Sequence, residues 1–541
     1  MALFINEKEH LVTEAIDGIL STSDGMLTRL DGYPHIKVVL RTDWDKSKVA
    51  LLSGGGSGHE PAHAGFIGKG MLTGAVCGEV FASPTVDAVL AGILAVTGEP
   101  GCLLIVKNYT GDRLNFGLAA ERAKAMGYKV EMVFVGDDVA IPDIPQPRGV
   151  AGTLFVHKIA GAMAESGLDL KTIASAAHSV ADKVMSIGMS LDTCSIPGLI
   201  KENRIDEGKA ELGLGIHGEP GVQQVNFSGA EEAMTTLLNQ LKQHSAGTMV
   251  ALVNNLGGTM PLEMSVLVRA LESAKLAHYI IGPSQLMTSL DMHGFSISLM
   301  SVNDKELAAL KEPVTIQSWP GLSKLSPPRI SKLPDGITPM VPVPSENKKI
   351  RRIIVNLAEL LISEETKLNR LDAKSGDGDT GSTLATAARS LKANIDRLPL
   401  ADLNQLFPAL GNELNQTMGG SSGVILAIFF NAVGKSCSNG MPINEALIDG
   451  LNQISEVGGA QVGHRTLIDA LAPALEALPQ GIKAAASAAR TGADHTATIH
   501  NAKAGRAAYV PGENLKGHND PGAEAVAILF SGLEMEIKMY P

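Results

Sequence analysis

The chain has few cysteines and few aromatic residues for its length. Among 541 residues there are 4 cysteines, and Phe, Trp and Tyr together make up 4%. Cys77, Cys102, Cys194 and Cys437 show neither Cys-x-x-Cys nor Cys/His spacing, which argues against a zinc site or a disulfide framework. A reducing cytoplasm is therefore the expected location. The 58 glycines and 45% hydrophobic content fit tightly packed α/β and α layers.

Positive charge and long apolar segments are also scarce. The formal net charge is −12, so neither nucleic acid nor an anionic membrane is an expected partner, and an acidic substrate would need a local basic or Mg²⁺ site. The longest apolar run, around Val424–Phe430, is shorter than the roughly 18 residues of a membrane span. Residues 1–10 lack the basic and apolar regions of a signal peptide. We expect a soluble protein.

The common glycine-rich nucleotide motifs are missing. No Gly-x-x-x-x-Gly-Lys-Ser/Thr is present, and the run Gly54–Gly58 does not continue with the Gly-x-Gly-x-x-Gly spacing of a dinucleotide fold. Because this run follows a short apolar strand, we expect it to bring backbone close to a small ligand. His59 beside it is either a site residue or a helix-capping or core histidine, and local sequence does not distinguish the two.

An acidic, glycine-rich stretch in the second half of the chain is the main chemical signal. It carries Asp372, Asp377 and Asp379, carboxylates that repel one another and are costly to bury unless a cation lies between them. Hard oxygen ligands suit Mg²⁺, which takes one or two carboxylates per ion, so three could hold two Mg²⁺ on a nucleotide. An Asp-Gly turn followed by a Ser/Thr helix cap is the structural alternative.

Residues 1–190 show alternating strand and helix patterns. Strands are predicted at Lys48–Leu52, Cys102–Val106 and Val130–Val135, and a helix at Pro84–Val96. Each strand runs into a polar loop, which is typical of an open α/β sheet with its ligand at the carboxyl ends of the strands. We predict a first α/β subdomain here.

A second α/β subdomain is predicted at 191–325, with a strand at Thr248–Asn254. Glycines flank His217 in the segment Glu211–Gly221, so its ring could act as a base, a metal ligand or a nucleophile toward a carbonyl. No second His or Cys lies at ligand spacing, which argues against a metal. A solvated loop histidine is the alternative, and Asp112, in a strand-end loop, is equally open.

A proline-rich linker separates these subdomains from a helical domain. Prolines accumulate from Pro320 to Pro344, where neither a helix nor a central strand can be sustained, and we assign the linker to 326–347. At 348–541 apolar residues recur three and four positions apart, which predicts an all-α bundle. The predicted helical segments are Ile353–Ile362, Ala385–Leu391, Leu403–Leu414, Ile443–Val457, Leu467–Leu478 and Ala523–Ile537.

Polar loops between these helices form a candidate nucleotide site. Residues 380–383 offer N–H groups and hydroxyls just before a helix predicted at Leu384–Ala393, a geometry that receives phosphate. Similar loops lie at 418–423, 463–466 and 517–523. Each loop alone could be a helix cap. Gathered at one end of a bundle, they favour a phosphate site.

Five short motifs, spread over nearly the whole length, carry a resemblance to a known family. They are Gly-Gly-Gly-Ser-Gly-His-Glu-Pro at 54–61, Lys-Asn-Tyr-Thr-Gly-Asp at 107–112, Gly-Ile-His-Gly-Glu-Pro-Gly at 215–221, Gly-Asp-Gly-Asp-Thr-Gly at 376–381 and Asp-Pro-Gly-Ala at 520–523. In combination they resemble the ATP-dependent dihydroxyacetone (glycerone) kinases that fuse a sugar-binding K part to a nucleotide-binding L part. The resemblance implies a phosphotransferase that uses ATP and Mg²⁺.

The resemblance also implies roles for individual residues. His217 would hold a substrate ketone as a covalent hemiaminal, Asp112 would accept the proton of the hydroxyl being phosphorylated, and His59 would orient or protonate the substrate. The sugar pocket would be lined by Gly55, Gly56 and Lys107, and two Mg²⁺ would be held by Asp372, Asp377 and Asp379. The nucleotide would be bound by Thr380, Gly381, Ser382, Thr383, Ser421, Ser422, Gly463, Thr466, Arg506, Asp520, Pro521 and Gly522.

The implied partner is a second copy of the chain, in a homodimer where the L part of one chain covers the sugar site of the other. Dihydroxyacetone is the leading substrate, while glyceraldehyde, L-erythrulose and other three- or four-carbon sugars stay open. Two further possibilities are a phosphotransfer component supplied by a phosphoprotein and a side activity that splits FAD into AMP and a cyclic flavin phosphate. The phosphoprotein-dependent relatives keep K and L as separate chains, so the fusion favours the kinase.

Overall fold

A computed structural model describes residues 3–241, 247–335 and 342–540. They divide into two compact units, with the division after Ile330. The first unit is built from strands and helices and the second mainly from helices, which confirms the predicted fold class. Residues 336–341 of the predicted linker lie outside the described residues.

Six strands of the first unit form one sheet in the described part of the chain. They are β1 (Leu27–Arg29), β2 (Val38–Arg41), β3 (Ala50–Ser57), β4 (Gly74–Val80), β5 (Cys102–Lys107) and β6 (Val130–Val135). Their order is β1-β2-β4-β3-β5-β6, and β4, β3, β5 and β6 run parallel. The helices that contact this sheet are α1 (Leu11–Ser21), α2 (Val86–Val96), α3 (Thr110–Ala125), α4 (Thr153–Glu165) and α5 (Leu170–Lys183).

Strand β3 is longer than the sequence predicted. The prediction ended it at Leu52 and assigned the following glycines to a loop, but the structure continues the strand to Ser57 with all eight residues buried. β5 pairs with β3 only as far as Ser53, and β4 pairs with Gly54, Gly55 and Ser57. The partner strand β4 thus supplies hydrogen bonds that the glycine run alone does not specify. The predictions for β5 and β6 are confirmed. The carboxyl ends of β3 and β5 therefore lie side by side, where ligands bind in open α/β sheets.

A second sheet completes the first unit. Its strands are β7 (Met185–Ser190), β8 (Lys209–Leu212), β9 (Gln223–Asn226), β10 (Thr248–Asn255), β11 (Tyr279–Ser284), β12 (Gly294–Val302) and β13 (Leu322–Lys324). Within the described residues the order is β13-β11-β10-β12-β7-β8-β9. Helices α6 (Ala230–Leu241), α7 (Pro261–Ala274) and α8 (Asp304–Lys311) contact it. The boundary at 190 and 191 stays a prediction, and β7, which precedes it, belongs to this second sheet.

The second unit is helical throughout most of its described length. Its helices are α9 (Lys348–Ser363), α10 (Glu365–Ser375), α11 (Thr380–Ala393), α12 (Leu403–Thr417), α13 (Gly420–Ser438), α14 (Ile443–Gly458), α15 (Ile468–Ala477), α16 (Ile482–Thr496), α17 (Gly512–Leu515) and α18 (Pro521–Met539). All six predicted helical segments are confirmed. Helices α10, α13, α16 and α17 were not predicted, and α10 places Asp372 in a helix, whereas Asp377 and Asp379 lie in the following loop.

Side-chain caps explain where two of these helices begin. The Asn347 side chain accepts hydrogen bonds from the N–H groups of Lys349 and Ile350, both at 3.1 Å, at the start of α9. Asp520 Oδ1 accepts a hydrogen bond of 2.9 Å from Ala523 N at the start of α18, where Pro521 is the first helical residue. Such caps satisfy N–H groups that lack partners within the helix. This hydrogen bond holds the Asp520 side chain at the start of α18.

Helix α13 alone, among the described helices, is long and apolar enough to cross a membrane by length and composition. A helix in the core of a folded domain can meet the same two criteria. Phe429 and Val433 of α13 are buried, and the helix contacts α12 and α14 within the second unit. One helix of this kind is weak support for a membrane span.

Two histidines, His63 and His157, lie buried side by side in the first unit, with ring centroids 5.2 Å apart. His157 Nε2 lies 3.2 Å from Ser53 Oγ, which itself donates to the carbonyl of Ile105 at 2.7 Å. Burial, reinforced by the charge of Lys107, lowers the pKa of His157 to about 3. This ring is therefore neutral at pH 7 in the folded protein.

We expect the buried ring of His157 to make the first unit less stable as the pH falls. Below pH 6.5 the unfolded chain protonates this histidine while the folded chain does not, so folding stability falls by about 1.4 kcal/mol per pH unit. In His157→Gln, the stability lost between pH 7 and pH 5 should be smaller by about 2 kcal/mol. Urea unfolding followed by tryptophan fluorescence measures this, because both tryptophans, Trp44 and Trp319, lie in the first unit.

His178→Gln, at an exposed position on α5, is the matched control and should keep the pH dependence of the parent chain. An equal loss of stability in His157→Gln and the parent would contradict the expectation.

Candidate active site

Side chains from four segments meet near the carboxyl ends of β3 and β5. His59 follows β3, Lys107 ends β5, Asp112 lies in the first turn of α3, and His217 lies between β8 and β9. The ring centroids of His59 and His217 are 4.9 Å apart. All four were predicted as site residues, and the structure brings them together from distant parts of the sequence.

The backbone at Gly55 lies against two of these side chains. Gly55 has φ +147°, and a Cβ atom there would lie 3.3 Å from Lys107 Cε and 3.6 Å from Asp112 Oδ2. Lys107 is fully buried, and its Nζ has no hydrogen-bond partner among the described residues. Burial lowers the pKa of Lys107, and the nearby Asp112 carboxylate opposes that shift. A cationic donor and a carboxylate thus face the same stretch of glycine backbone.

His59 is held as a neutral ring with one free nitrogen. Its Nδ1 lies 2.8 Å from the carbonyl oxygen of Thr288, in the segment between β11 and β12. A carbonyl can only accept, so Nδ1 carries the hydrogen. Burial and the charge of Lys107 hold the pKa of His59 well below its usual value. Nε2 has no partner within the described structure and is suited to accept a hydrogen bond from a hydroxyl.

His217 is paired with a carboxylate that the sequence reasoning did not name. Its Nδ1 lies 3.2 Å from Glu219 Oε1, and its backbone N–H donates to Glu219 Oε2 at 2.9 Å. Burial disfavours the charged form of Glu219, but the hydrogen bonds from His217 outweigh burial and lower the pKa of Glu219 to about 2. A hydrogen on Nδ1 directed at a carboxylate leaves the Nε2 lone pair available for attack on carbon.

Aromatic rings enclose His217 on further sides. The Tyr109 ring lies edge-on with its centroid 4.5 Å away, and the Phe81 ring lies edge-on at 5.4 Å. Phe81 also stacks on His59 at 5.2 Å. These contacts restrict rotation of both histidine rings, which favours a fixed attack geometry.

Four residues of this site were missed from sequence. Glu219 and Tyr109 lie inside two of the five motifs, within two residues of His217 and Lys107 in sequence. That closeness could have predicted them as site residues. Phe81 and Ser83 lie in a loop with no recognised motif. Ser83 Oγ donates a hydrogen bond of 2.5 Å to Asp112 Oδ1. Gly56, predicted to line the sugar pocket, lies against this loop, since a Cβ there would be 2.7 Å from Ala82 N.

The predicted carboxylates of the second unit form a compact group. One ligand oxygen from each of Asp372, Asp377 and Asp379 lies within 4.8 Å of the others. Asp372 Oδ2 accepts hydrogen bonds from the N–H groups of Gly378, Asp379 and Thr380 at 3.1, 2.9 and 3.1 Å. The loop therefore folds around one carboxylate, and the other two lie beside it.

The charges of this group fit a divalent cation. Burial and the adjacent Asp377 carboxylate raise the pKa of Asp379, as expected for anions that lack a counter-ion between them. Arg506 makes an ion pair with Asp377. Clustered oxygen donors of this kind are the ligands that Mg²⁺ prefers.

A cavity of about 410 Å³ lies next to these carboxylates. Predicted nucleotide residues that line it are Thr380, Thr383, Ser421, Ser422, Thr466, Arg506, Asp520, Pro521 and Gly522. The first turns of α11, α13 and α18 thus open onto one space, and helix N-termini attract phosphate.

Three predicted nucleotide residues do not line this cavity. Ser382 Oγ donates to Glu365 at 3.0 Å and accepts from Asn369 at 2.9 Å, so its hydroxyl is used against α10. Gly381 also packs on α10, where a Cβ would be 2.1 Å from the carbonyl oxygen of Glu365. Gly463 donates its N–H to Asp469 at 2.5 Å. Their positions in the motifs and loops indicated that they lie near the site, but not which way their hydrogen-bonding groups point.

Two residues near the cavity were not predicted: Arg465, which lines it, and Asp469, which holds the adjoining loop. Asp469 also accepts a hydrogen bond from Thr466 N at 2.8 Å, which shapes the loop before α15. Arg465 lines the cavity, is 1% exposed and donates from Nη2 to the carbonyl of His518 at 2.9 Å. Burial lowers the pKa of Arg465, yet a guanidinium stays charged at neutral pH. It adds positive charge beside the helix N-termini.

Comparison with known proteins gives matches along nearly the whole chain. The Dak1 domain family matches residues 17–318, and the DAK2 domain family matches residues 374–535. The chain is 46% identical to a dihydroxyacetone kinase of Citrobacter freundii, covering 98% of each chain. It is 41% identical to a putative 3,4-dihydroxy-2-butanone kinase of Solanum lycopersicum, covering 99% of this chain and 98% of the relative.

A further relative and two solved structures extend these matches. A triokinase/FMN cyclase of Mus musculus is 38% identical, with 98% of this chain and 97% of the relative covered. The native C. freundii dihydroxyacetone kinase structure superposes with a TM-score of 0.68 at 45% identity, covering 98% of this chain and 99% of that one. Its complex with AMP-PNP and Mg²⁺ also gives 0.68, at 44% identity and 99% coverage of both.

Proposed function

The chain belongs to the dihydroxyacetone kinase family, and we propose that it transfers the γ-phosphoryl group of ATP to dihydroxyacetone. It is a kinase that uses ATP and Mg²⁺, as its full-length relatives and the AMP-PNP complex indicate. The observation that carries the substrate proposal is the pair of His217 and Glu219 beside His59. A histidine with its Nδ1 hydrogen directed at a carboxylate is suited to capture a carbonyl compound.

The capture step follows from the tautomer of His217. Its Nε2 lone pair attacks the ketone carbon, a C–N bond forms, and the carbonyl π electrons move to oxygen. The oxygen takes up a proton and Nδ1 releases one, so the product is a neutral hemiaminal. Glu219 stabilises the imidazolium formed in between. Glycerol has no carbonyl and cannot form this adduct.

Phosphoryl transfer uses Asp112 as the base. The carboxylate accepts the proton of the terminal substrate hydroxyl as that oxygen attacks the γ-phosphorus and ADP leaves. The neutral Nε2 of His59 accepts a hydrogen bond that orients the substrate, and the Lys107 ammonium attracts the incoming phosphoryl group.

In the second unit, we propose that Asp372, Asp377 and Asp379 hold two Mg²⁺, which neutralise charge on the nucleotide phosphates when bound. The first turns of α11 and α13 donate to phosphate oxygens through their N–H and hydroxyl groups. Arg506, which pairs with Asp377 and lines the same cavity, would add positive charge beside these phosphates.

Other substrates and a second activity are alternatives to this proposal. The relative named as a 3,4-dihydroxy-2-butanone kinase supports a four-carbon ketose such as erythrulose as substrate. The relatives named triokinase/FMN cyclase support a triose acceptor and a second activity that forms a cyclic FMN. We propose glyceraldehyde as that acceptor and FAD as the flavin compound, with the second activity at the same carboxylates. Because both parts are fused in one chain, a phosphoprotein donor is less favoured than ATP.

ADP release with MgATP tests the proposed substrate directly. We expect steady turnover with dihydroxyacetone and none above background with glycerol, because only a carbonyl compound can be captured by His217. Glyceraldehyde and erythrulose in parallel rank the alternatives, and FAD with Mn²⁺ tests the release of a cyclic flavin phosphate. Turnover that requires a phosphoprotein instead of ATP would contradict the proposal.

Two variants separate capture from transfer. His217→Ala should lose the dihydroxyacetone adduct in intact-mass measurements, because the nucleophile is gone. Asp377→Ala should keep the adduct and lose turnover, because that carboxylate belongs to the nucleotide site of the second unit. An adduct that persists in His217→Ala would exclude the hemiaminal on this residue.

Mixing these two inactive variants tests the proposed dimer, in which the helical unit of one chain serves the sugar site of the other. After subunit exchange, a mixed dimer would combine one intact sugar site with one intact nucleotide site, so activity should return. If each chain served its own sugar site, every site in the mixture would lack one component. Continued inactivity after verified exchange would therefore contradict the shared arrangement.

A further inference from the structure

The loop between β4 and α2, residues 81–85, belongs to no recognised motif and yet reaches the catalytic side chains. Phe81 has φ +58°, a left-handed conformation that is a genuine outlier for a bulky residue. Its N–H donates to the carbonyl of Ser57 at 2.9 Å, which ties the loop to the end of β3. Backbone in such a conformation persists when its surroundings fix it, and it is concentrated at functional sites.

A glycine in the neighbouring helix α3 allows this loop to approach the site closely. A Cβ atom at Gly111 would lie 2.7 Å from Ser83 Oγ. A side chain there would displace the Ser83 hydroxyl from the first turn of α3, where Asp112 lies. The glycine preceding the base thus makes room for one particular hydroxyl.

The hydroxyl of Ser83 binds one oxygen of the proposed base. Ser83 Oγ donates to Asp112 Oδ1 at 2.5 Å, and the other oxygen, Oδ2, lies on the side of Gly55. Asp112 is 3% exposed, so water contributes little to its orientation. With Oδ1 engaged, rotation of the carboxylate about its Cβ–Cγ bond is restricted, and Oδ2 is the oxygen left for a substrate hydroxyl.

We propose that Ser83 is a positioning residue for phosphoryl transfer, which holds Asp112 so that Oδ2 faces the hydroxyl to be phosphorylated. The inference rests on the proposed function, in which Asp112 is the base. It assigns Ser83 no contact with the substrate. Its effect is on kcat and on the pH at which transfer begins, and capture by His217 is independent of it.

The charged and titratable groups around Asp112 give the expected sign of the pH effect. Lys107 faces it from β5, and His59 and His217 lie on the same side of the site. Burial raises the pKa of Asp112, while Lys107, the Ser83 hydrogen bond and His217 lower it. Removal of the hydroxyl removes one lowering contribution, so the carboxylate ionises at higher pH. The acid limb of the kcat profile should move upward.

The test compares Ser83→Ala with Ser83→Thr in the full-length protein. In Ser83→Ala we expect kcat at pH 7 to fall about tenfold to a hundredfold, the range for a lost hydrogen bond to a charged group. The acid limb should shift to higher pH, while KM and the intact-mass adduct stay close to those of the parent. Ser83→Thr keeps a hydroxyl and should restore most of kcat and the parent pH profile.

Ser166→Ala is the matched control, because this serine also donates to a single acceptor, the carbonyl of Ala162 at 2.8 Å, at the end of α4. It should leave kcat and the pH profile unchanged. A Ser83→Ala variant with the parent kcat and acid limb would overturn the proposal. A loss of adduct and melting temperature that Ser83→Thr does not restore would assign Ser83 a structural role instead, and would also overturn it.

Asp112→Asn distinguishes failure of the inference from failure of the proposed function. If Asp112 is the base, this variant keeps the adduct and loses turnover, and the Ser83 variants then decide the positioning role. If Asp112→Asn turns over with an unchanged acid limb, the base assignment itself is wrong and the role of Ser83 falls with it.

Discussion

A buried ammonium group without a hydrogen-bond partner in the described structure governs the site of the first unit. Burial of a charge is costly unless it is paired and hydrogen-bonded, and Lys107 meets only part of that requirement through the field of Asp112 and Glu219. The same positive charge disfavours protonation of His59. Together with burial, the Lys107 charge holds the pKa of His59 well below its usual value, and it opposes the rise that burial gives the pKa of Asp112. Both effects suit acid–base chemistry near pH 7.

In the second unit negative charge is concentrated instead, on the three carboxylates of Asp372, Asp377 and Asp379. This unit uses Asp372, near the end of α10, together with Asp377 and Asp379 on the following loop, whose N–H groups donate to Asp372. Arg506 and Arg465 line the adjacent cavity. The two units thus carry complementary chemistry. The first offers a fixed set of donors and acceptors, which the proposed uncharged sugar requires, and the second offers positive charge and helix N-termini, which the proposed polyanionic nucleotide requires.

The fold class and the carboxylate site could be predicted from sequence because their signals are local. Strand β6 and helix α12 follow from apolar periodicity, and Asp372, Asp377 and Asp379 lie within eight residues of one another. What failed depends on partners distant in sequence. The glycines at 54–56 belong to a strand because β4 pairs with this part of β3. The Ser382 hydroxyl bonds to α10, so it is not free for phosphate. The loop that carries Ser83 has no recognisable sequence pattern. The contact of Ser83 with Asp112 is evident only from the folded structure, in which α3 lies beside this loop.

The hydrogen bond from His59 to Thr288 joins the ends of two sheets that are built from different halves of the first unit. During synthesis, a nascent chain contains both site histidines long before Thr288 has left the ribosome. Until then the tautomer of His59 is not fixed, and the second sheet still lacks β12, which lies between β10 and β7. The surroundings of His59 are therefore completed only after the chain has been synthesised beyond Thr288 and β12, although His59 itself lies in the first 60 residues.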